Sequence, residues 1–327
     1  MARAPLLTFT AQGIYCPIGD FHIDPHRPVA RALITHGHSD HARPGHAAYL
    51  CTTSAAPVIR HRLGKITLNT IAYAEPRDIN GVTVSFHPAG HVPGSAQIRV
   101  EHRGEVWVVS GDYKTEPDGL SEAFAPVACN TFITECTFGL PVFQWAPQAT
   151  LAAQINHWWA TNAAMGRTSL IAAYSLGKAQ RLMVLLNASI GPLLTHASVE
   201  ATTQILRDQG YPLPPTTQIT PQITAKTHPG ALIIAPPSAL TPDWIHRFAP
   251  LDPAFASGWM ALKKRQTPGT TGFVLSDHAD WSGLNTAIRE TGATRVFATH
   301  GYTEPFRHWL QDQGYNAAIV ECAAPPP

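Results

Sequence analysis

The stretch that decides the fold is "THGHSDHARPGH", residues 35–46, in which four histidines and an aspartate share twelve positions. His36, His38, Asp40 and His41 form the pattern H-x-H-x-D-H. The apolar run before it, residues 31–35, predicts a short buried strand. Side chains two apart share one face of a strand, so the H-x-H pair directs both imidazoles to the same side. Asp40 and His41 then reach a second point nearby. The spacing predicts two adjacent metal sites, against the alternative of a histidine-rich surface loop.

Further acidic and imidazole side chains follow other predicted strands. They are Asp24 in "FHIDP", His91 in "PAGHVPGSA", Asp112 in "VVSGDYK" and His300 in "FATHGY". Loops at strand ends, held by a rigid sheet, are where α/β folds place functional residues. We therefore expect these side chains to complete the metal sites.

The residues predict two ligand sets that share Asp112 as a bridge. The first set is His36, His38, His91 and Asp112, and the second is Asp40, His41, Asp112 and His300. Nitrogen and oxygen ligands of this kind suit Zn²⁺ and tolerate Mn²⁺. Asp24 is expected to accept a proton from a ligating imidazole. The alternative for Asp24 is a turn-forming residue before Pro25.

Composition bounds the class of protein. With 327 residues, 44% of them hydrophobic, the chain can form one large or two modest domains. A net charge of +1 excludes a strongly basic nucleic-acid binder, so affinity for nucleic acid must come from a local patch. Five cysteines without a C-x-x-C pair fit free thiols in a reducing cytoplasm. We expect neither a signal peptide nor a membrane span.

The pattern of elements changes along the chain. Residues 1–145 are rich in predicted strands, including two that flank the hairpin signal Arg103-Gly104. From about Pro147, helical and strand patterns alternate, which predicts a subdomain with a parallel sheet. Thr241 and Pro242 predict the start of one of its helices.

The order of Asp24, H-x-H-x-D-H, His91, Asp112 and His300 resembles the metallo-β-lactamase fold. Glu135 in "TECTFG" and His278 in "SDHAD", together with His300, resemble the additional motifs of its nucleic-acid-processing branch, which carries an inserted domain named β-CASP. Within that branch, "AYSLGKAQRL", "ASGWM" and "GFVLSDHADWSGL" resemble the bacterial DNA-ligase-associated exonucleases. The resemblance covers nearly the whole chain.

The resemblance implies an α/β architecture in two parts. A metallo-β-lactamase αββα sandwich would comprise residues 1–145 and 268–327. An α/β β-CASP domain, residues 146–267, would be inserted between them.

The resemblance also implies roles for two motif residues. His278 would be the general acid that protonates the leaving 3′ oxygen, and Glu135 would hold it by a hydrogen bond. An imidazole titrates near working pH, and a carboxylate keeps it oriented. The alternative for His278 is a residue that caps the following helix.

Candidate phosphate contacts are less specific. Ser175 opens a helix containing Lys178 and Arg181, which could offer backbone N–H groups and cations to a phosphate. Ser257-Gly258 resembles a close approach of the backbone to a ligand. The cluster Lys263-Lys264-Arg265 is also basic. Ordinary solvated turns are the alternative in all three places.

Together these features predict a nuclease with two divalent ions, Zn²⁺ or else Mn²⁺. We expect a DNA exonuclease of repair that acts on single-stranded DNA or DNA ends and is associated functionally with a DNA ligase and a helicase. An RNA-processing nuclease of the same branch is the main alternative. A small-molecule hydrolase of the same fold is another, but it would have no reason for Glu135 and His278 beside an inserted domain. A non-catalytic scaffold is a third.

Overall fold

The computed structural model describes residues 5–262 and 271–321. The cluster Lys263-Lys264-Arg265 lies outside the described residues. The fold is mixed α/β, as the sequence predicts, and it divides into two compact units. The first unit comprises residues 1–117, 121–143 and 278–327, and the second comprises 118–120 and 144–277.

Two sheets form the centre of the first unit. The first sheet contains β1 (Thr8–Thr10), β2 (Gly13–Cys16), β3 (Phe21–Ile23), β4 (Arg31–Leu33), β5 (Ala48–Thr52) and β6 (Leu68–Ile71), in that order. The second contains β7 (Arg77–Ile79), β8 (Val82–Pro88), β9 (Ala96–His102), β10 (Glu105–Val109), β11 (Thr131–Cys136), β18 (Arg295–Gly301) and β19 (Asn316–Ile319). Its spatial order is β19-β18-β11-β10-β9-β8-β7.

The two sheets of this unit pack against each other through one apolar core. Leu33 and Leu50 of the first sheet share this core with Val84 and Phe86 of the second. The alternation of Val82, Val84 and Phe86 along β8 gives that strand its core-facing side. The expected hairpin is also present, with β9 and β10 antiparallel around Arg103-Gly104.

Helices cover the outer faces of both sheets in the first unit. They are α1 (Ala56–Leu63), α6 (Trp281–Thr291) and α7 (Thr303–Asp312). Ile59 of α1 packs against Tyr49 of the first sheet. Leu284 of α6 and Phe306 of α7 pack in a third cluster with Phe132 of the second sheet. The described residues of this unit therefore form helix, sheet, sheet and helix layers.

The second unit contains a parallel sheet, as the alternating pattern predicts. Its strands are β12 (Thr168–Ala172), β13 (Leu193–Thr195), β14 (Thr217–Gln218), β15 (Leu232–Ala235), β16 (Leu251–Ala256) and β17 (Thr271–Phe273), in the order β14-β13-β15-β12-β16-β17. Its helices are α2 (Gln148–Ala164), α3 (Lys178–Leu185), α4 (Ala197–Asp208) and α5 (Pro242–His246). Short 3₁₀ turns occur at Pro237–Ala239 and Gly258–Ala261. Because β17 pairs with β16, this unit continues to Asp277, beyond the residue 267 expected from the sequence.

Two further expectations concern the whole chain. The cysteines among the described residues, Cys16, Cys51, Cys129 and Cys136, are free thiols. Within the same residues, no helix combines the length and the apolar character needed to cross a membrane.

Candidate metal centre and its neighbours

The loop after β4 carries the H-x-H-x-D-H motif and is held in place from a neighbouring helix. The Arg62 guanidinium of α1 donates from Nη1 to the carbonyl oxygen of Gly37, at 2.6 Å. Gly37 lies between His36 and His38, so this bond fixes the backbone that directs both imidazoles. No local pattern indicates this role of Arg62, because Arg62 and Gly37 are 25 positions apart.

The structure brings the first predicted ligand set together. One ligand atom from each of His36, His38, His91 and Asp112 lies within 4.8 Å of all the others. His38 Nδ1 is 3.0 Å from His36 Nε2 and 3.1 Å from His91 Nε2. Asp112 Oδ2 lies 3.5 Å from His36 Nε2 and 3.7 Å from His91 Nε2. Three imidazoles and a carboxylate therefore converge on one point, a donor set that suits Zn²⁺.

A glycine allows Asp112 to reach this cluster. Gly111 has φ +57°, a left-handed conformation that side chains other than glycine rarely adopt. A Cβ atom at this position would lie 2.6 Å from Cβ of Thr35. The close packing of the Gly111 backbone against the Thr35 side chain thus requires glycine just before the ligand.

The second predicted set is assembled more loosely. His41 Nε2 lies 3.4 Å from Asp112 Oδ2 and 3.8 Å from Asp40 Oδ2. The His300 ring centroid is 5.3 Å from that of His41. The Asp40 side chain is 61% exposed, and His300 is also exposed. Asp40, His41 and His300 all line a pocket of about 490 Å³ that also includes Arg43.

His41 provides the test of whether a second cation fits. Its Nε2 is buried and has no hydrogen-bond partner, although most buried polar atoms in proteins have one. The atom faces two carboxylates, those of Asp112 and Asp40. A cation held by these three residues would satisfy the unpartnered nitrogen, so the residues present fit a second metal ion.

Asp24 lies behind His41, where the sequence analysis expected a proton acceptor. Asp24 Oδ2 is 2.7 Å from His41 Nδ1. The Asp24 carboxylate also accepts two hydrogen bonds from Thr35, one from its amide at 2.8 Å and one from its Oγ1 at 2.5 Å. A proton held between Asp24 and Nδ1 leaves Nε2 of His41 facing Asp112. Asp24 has φ +43°, so the site holds it in an uncommon conformation.

The charges in the cluster are strongly coupled. Burial and the neighbouring His41 keep the pKa of His36 well below its ordinary value, so this imidazole is neutral. Burial alone would lower the pKa of His41, but Asp112 and Asp24 outweigh it and hold that pKa well above the ordinary value. Burial would raise the pKa of Asp112, but His41 and His278 outweigh it and hold the value well below normal. Without a metal, His41 is therefore a cation beside the Asp112 carboxylate.

Glu135 and His278 form a pair next to this cluster. His278 Nδ1 lies 2.9 Å from both carboxylate oxygens of Glu135, whose side chain is buried. Glu135 also accepts hydrogen bonds from the Tyr113 amide at 2.8 Å and from Thr137 Oγ1 at 2.5 Å. Ligand atoms of Asp112, Glu135 and His278 lie within 4.8 Å of one another. The pair of Glu135 and His278 therefore lies directly beside the Asp112 carboxylate.

The predicted phosphate contacts are arranged differently from the expectation. Lys178 and Arg181 are buried, at 6% and 5% exposure, and both are engaged with Asp277. Ser175 bonds to Ser198 Oγ at 3.0 Å. Ser257 accepts a hydrogen bond from the Trp259 amide and caps the 3₁₀ turn that begins at Gly258. The two cations are thus already paired within the second unit, which the local sequence pattern could not indicate.

Comparison with known proteins supports a nucleic-acid context. No protein-family model matches the chain. It is 29% identical over 318 residues to a "Probable DNA ligase" of Opitutus terrae, a match that covers 95% of this chain and 30% of that protein. It is 29% identical over 122 residues, 37% of this chain and 15% of the relative, to the endoribonuclease YSH1 of Saccharomyces cerevisiae. Cleavage and polyadenylation specificity factor 73 of Drosophila melanogaster is 28% identical over 127 residues, 37% of this chain and 18% of that protein.

The chain therefore spans less than a third of the length of these relatives. Among solved structures, a protein of unknown function from Enterococcus faecalis has a TM-score of 0.58 at 10% identity, covering 83% of this chain and 75% of the other. That likeness concerns the fold alone. The sequence similarities confirm the resemblance to β-CASP metallo-β-lactamase nucleases that the motifs indicate.

Proposed function

We propose that the chain is a dinuclear metal-dependent nuclease, most specifically a DNA exonuclease of repair that acts in the cytoplasm on single-stranded DNA or DNA ends. The first unit would be its metallo-β-lactamase domain, and the second unit, which ends at Asp277, would be its β-CASP insert. The layers of the first unit and the parallel sheet of the second support this assignment. A functional association with a DNA ligase and a helicase is part of the proposal.

The observation that carries the proposal is the position of Asp112. Its carboxylate faces His36 and His91 on one side and His41 on another, and its ligand atom is within 4.8 Å of those of Glu135 and His278. A plain metal site needs the histidines and Asp112, but it does not need a buried carboxylate–imidazole pair next to them. A metal-dependent reaction in which a leaving group must be protonated needs both the metal site and such a pair.

The proposed ligands are His36, His38, His91 and Asp112 for one ion, and Asp40, His41, Asp112 and His300 for the other. When bound, two divalent cations, with Zn²⁺ favoured over Mn²⁺ by the donor set, supply an activated water and offset the charge that develops on the phosphate. Asp24 keeps the His41 ring oriented through Nδ1.

His278 is the proposed general acid. Glu135 fixes the Nδ1 side of the ring, so that Nε2 would donate a proton to the leaving 3′ oxygen. Tyr113 and Thr137 keep Glu135 itself in place.

The choice between DNA and RNA rests on the extent of the similarities. The match to the "Probable DNA ligase" covers 95% of this chain, whereas those to the endoribonucleases cover 37%. An activity linked to DNA ligation is therefore favoured. RNA processing is the second candidate, because the endoribonuclease matches are of similar identity where they occur.

The test is cleavage of matched single-stranded DNA and RNA of the same sequence, each labelled at the 5′ or the 3′ end, with Zn²⁺ or Mn²⁺ added to chelator-treated protein. We expect mononucleotide release from DNA and slower action on RNA. His38→Ala is the inactive control. Faster cleavage of RNA would favour the second candidate, and a metal-loaded protein that cleaves neither polymer would refute a nuclease.

A further inference from the structure

We propose that Lys178 is a positioning residue for His278, and that it acts through the ion pair it forms with Asp277. The inference rests on the proposed function, because it concerns the proton donor of that reaction. Asp277 directly precedes His278 in the chain, so a restraint on its side chain is a restraint on the backbone that carries the imidazole.

The ion pair is short and shielded from solvent. Lys178 Nζ donates to Asp277 Oδ2 at 2.7 Å, and the two side chains are 7% and 4% exposed. The Arg181 guanidinium lies 3.6 Å from Asp277 Oδ1 and donates from Nη1 to the carbonyl oxygen of Ser276. Two cations on α3 therefore hold two consecutive residues just before His278.

The segment around His278 has no regular secondary structure that could hold it. It lies between β17, which ends at Phe273, and α6, which begins at Trp281. On the far side of His278, the Ala279 amide donates to the carbonyl oxygen of Tyr113 at 2.7 Å. Asp280 then caps α6 by accepting a hydrogen bond from the Gly283 amide at 2.8 Å. The backbone is thus fixed after His278 by Tyr113 and the helix cap, and before it by Lys178 and Arg181.

Glu135 alone fixes only one part of the geometry. It holds Nδ1 of the ring, but rotation of the backbone around that bond would move Nε2, the atom that donates the proton. A proton donor must lie within hydrogen-bond reach of the leaving oxygen, so a small displacement matters. The pair between Lys178 and Asp277 limits that displacement.

A role in stability does not explain a buried pair of this kind. The cost of removing two charges from water often equals or exceeds their attraction, so apolar residues would do as well. A role in direct phosphate binding, expected from the sequence pattern around Lys178, would need a cation that is not already paired in the interior. The position of Asp277 next to the proton donor accounts for the pair.

The informative variant is Lys178→Met. Arg181 remains beside the Asp277 carboxylate after this change, so the protein is expected to fold. Two phosphodiester substrates are compared, one with an alkoxide leaving group and one with an activated phenolate, which needs little protonation. We expect a lower kcat, by up to ~10²-fold, on the first substrate, as misplacement of a reacting group by about 1 Å can cause. The phenolate substrate should be cleaved almost as fast as by the parent.

Three comparisons complete the test. Lys178→Arg should retain most of the activity, because it keeps the ion pair. Lys178→Met combined with His278→Ala should be no slower than His278→Ala alone, since the effect passes through His278. Arg207→Met is the matched control, because it breaks another ion pair of the second unit, with Glu200 at 2.8 Å, and should leave both rates unchanged.

The inference is overturned if Lys178→Met slows both substrates equally or adds to His278→Ala. An equal rise of KM on both would instead mark Lys178 as a phosphate contact. If Lys178→Met does not fold, Lys178→Gln is measured in the same way. If the parent cleaves no phosphodiester, the proposed function fails, and a crystal structure of Lys178→Met decides the inference: an unmoved His278 ring, still bonded to Glu135, would refute it.

Discussion

His278 Nδ1 lies 2.9 Å from both carboxylate oxygens of Glu135, whose side chain is only 1% exposed. The imidazole itself is 21% exposed. The buried partner therefore fixes the Nδ1 side of the ring, and part of the ring is exposed to solvent. This division of roles is what a positioned general acid requires.

The first prediction follows from that relationship. His278→Ala should slow phosphodiester cleavage by roughly 10²–10⁴-fold, the usual contribution of a positioned acid, and leave metal content unchanged. Glu135→Gln should lose less, because it weakens the orientation of the ring without removing the donor. On a substrate with an activated phenolate leaving group, His278→Ala should be nearly as fast as the parent. Equal losses on both substrates, or loss of a metal, would mean that His278 is a ligand or a structural residue.

A second prediction concerns metal content. Asp112 faces His36 and His91 as well as His41, so Asp112→Ala should remove both ions. His38→Ala and His300→Ala, which each affect one proposed site, should remove fewer. Elemental analysis of the dialysed variants measures this directly. An Asp112→Ala protein that retains two ions would show that the carboxylate does not bridge.

A third prediction concerns the proton that His41 releases when metal binds. In the metal-free protein Asp112 and Asp24 hold the pKa of His41 well above its ordinary value. The stability that this imidazolium contributes is complete below the ordinary histidine pKa, and it is lost as the pH rises through the elevated value of the folded state. Metal binding must displace the same proton, so affinity should increase with pH.

Calorimetry in buffers of different ionisation enthalpy should therefore detect proton release when metal binds near pH 7. His36 should contribute none, because its pKa is well below the ordinary value and the ring is already neutral. His41→Gln is the control, in which the released proton should disappear. Proton release that persists in His41→Gln would assign it to another group.

Local patterns in the sequence predicted the parts of the fold that depend on neighbouring residues. The alternation along β8, the hairpin at Arg103-Gly104 and the helix–strand alternation of the second unit are all present. Strand β16 was not predicted, because Pro253 weakens a strand pattern.

In the candidate site, too, local spacing predicted contacts between neighbouring residues but not those between distant ones. The spacing H-x-H-x-D-H was sufficient to predict the convergence of His36 and His38, since both follow one strand. The ion pair of Lys178 and Asp277 joins residues 99 positions apart, so the pattern around Lys178 suggested a phosphate contact instead. A charged residue near a helix start is ambiguous until its partner is known, and that partner is set by the tertiary structure.

A fourth prediction concerns stability near the ligands. Gly111→Ala should destabilise the protein, because φ is +57° and the new Cβ would lie 2.6 Å from Cβ of Thr35. Strain at such a position costs about 1–3 kcal/mol, before any cost of the close contact. Gly104→Ala is the matched control, with φ +78° and no atom within 4 Å of the new Cβ. Urea unfolding should therefore give a larger loss for Gly111→Ala, and equal losses would show that Thr35 moves aside at no cost.

The last prediction concerns how the protein holds a single strand. The net charge is +1, and two of the cations considered for phosphate binding, Lys178 and Arg181, are already paired with Asp277 in the interior. Affinity should therefore depend on a few phosphates near the metal ligands. The logarithm of the binding constant falls with the logarithm of salt concentration by roughly 0.7 per neutralised phosphate on a single strand, so we expect a shallow slope. Binding of a labelled oligonucleotide to His278→Ala, whose cleavage is slow, tests this when it is measured across a salt series. A slope steeper than about −5, which corresponds to roughly seven phosphates, would require an extended basic track along the strand.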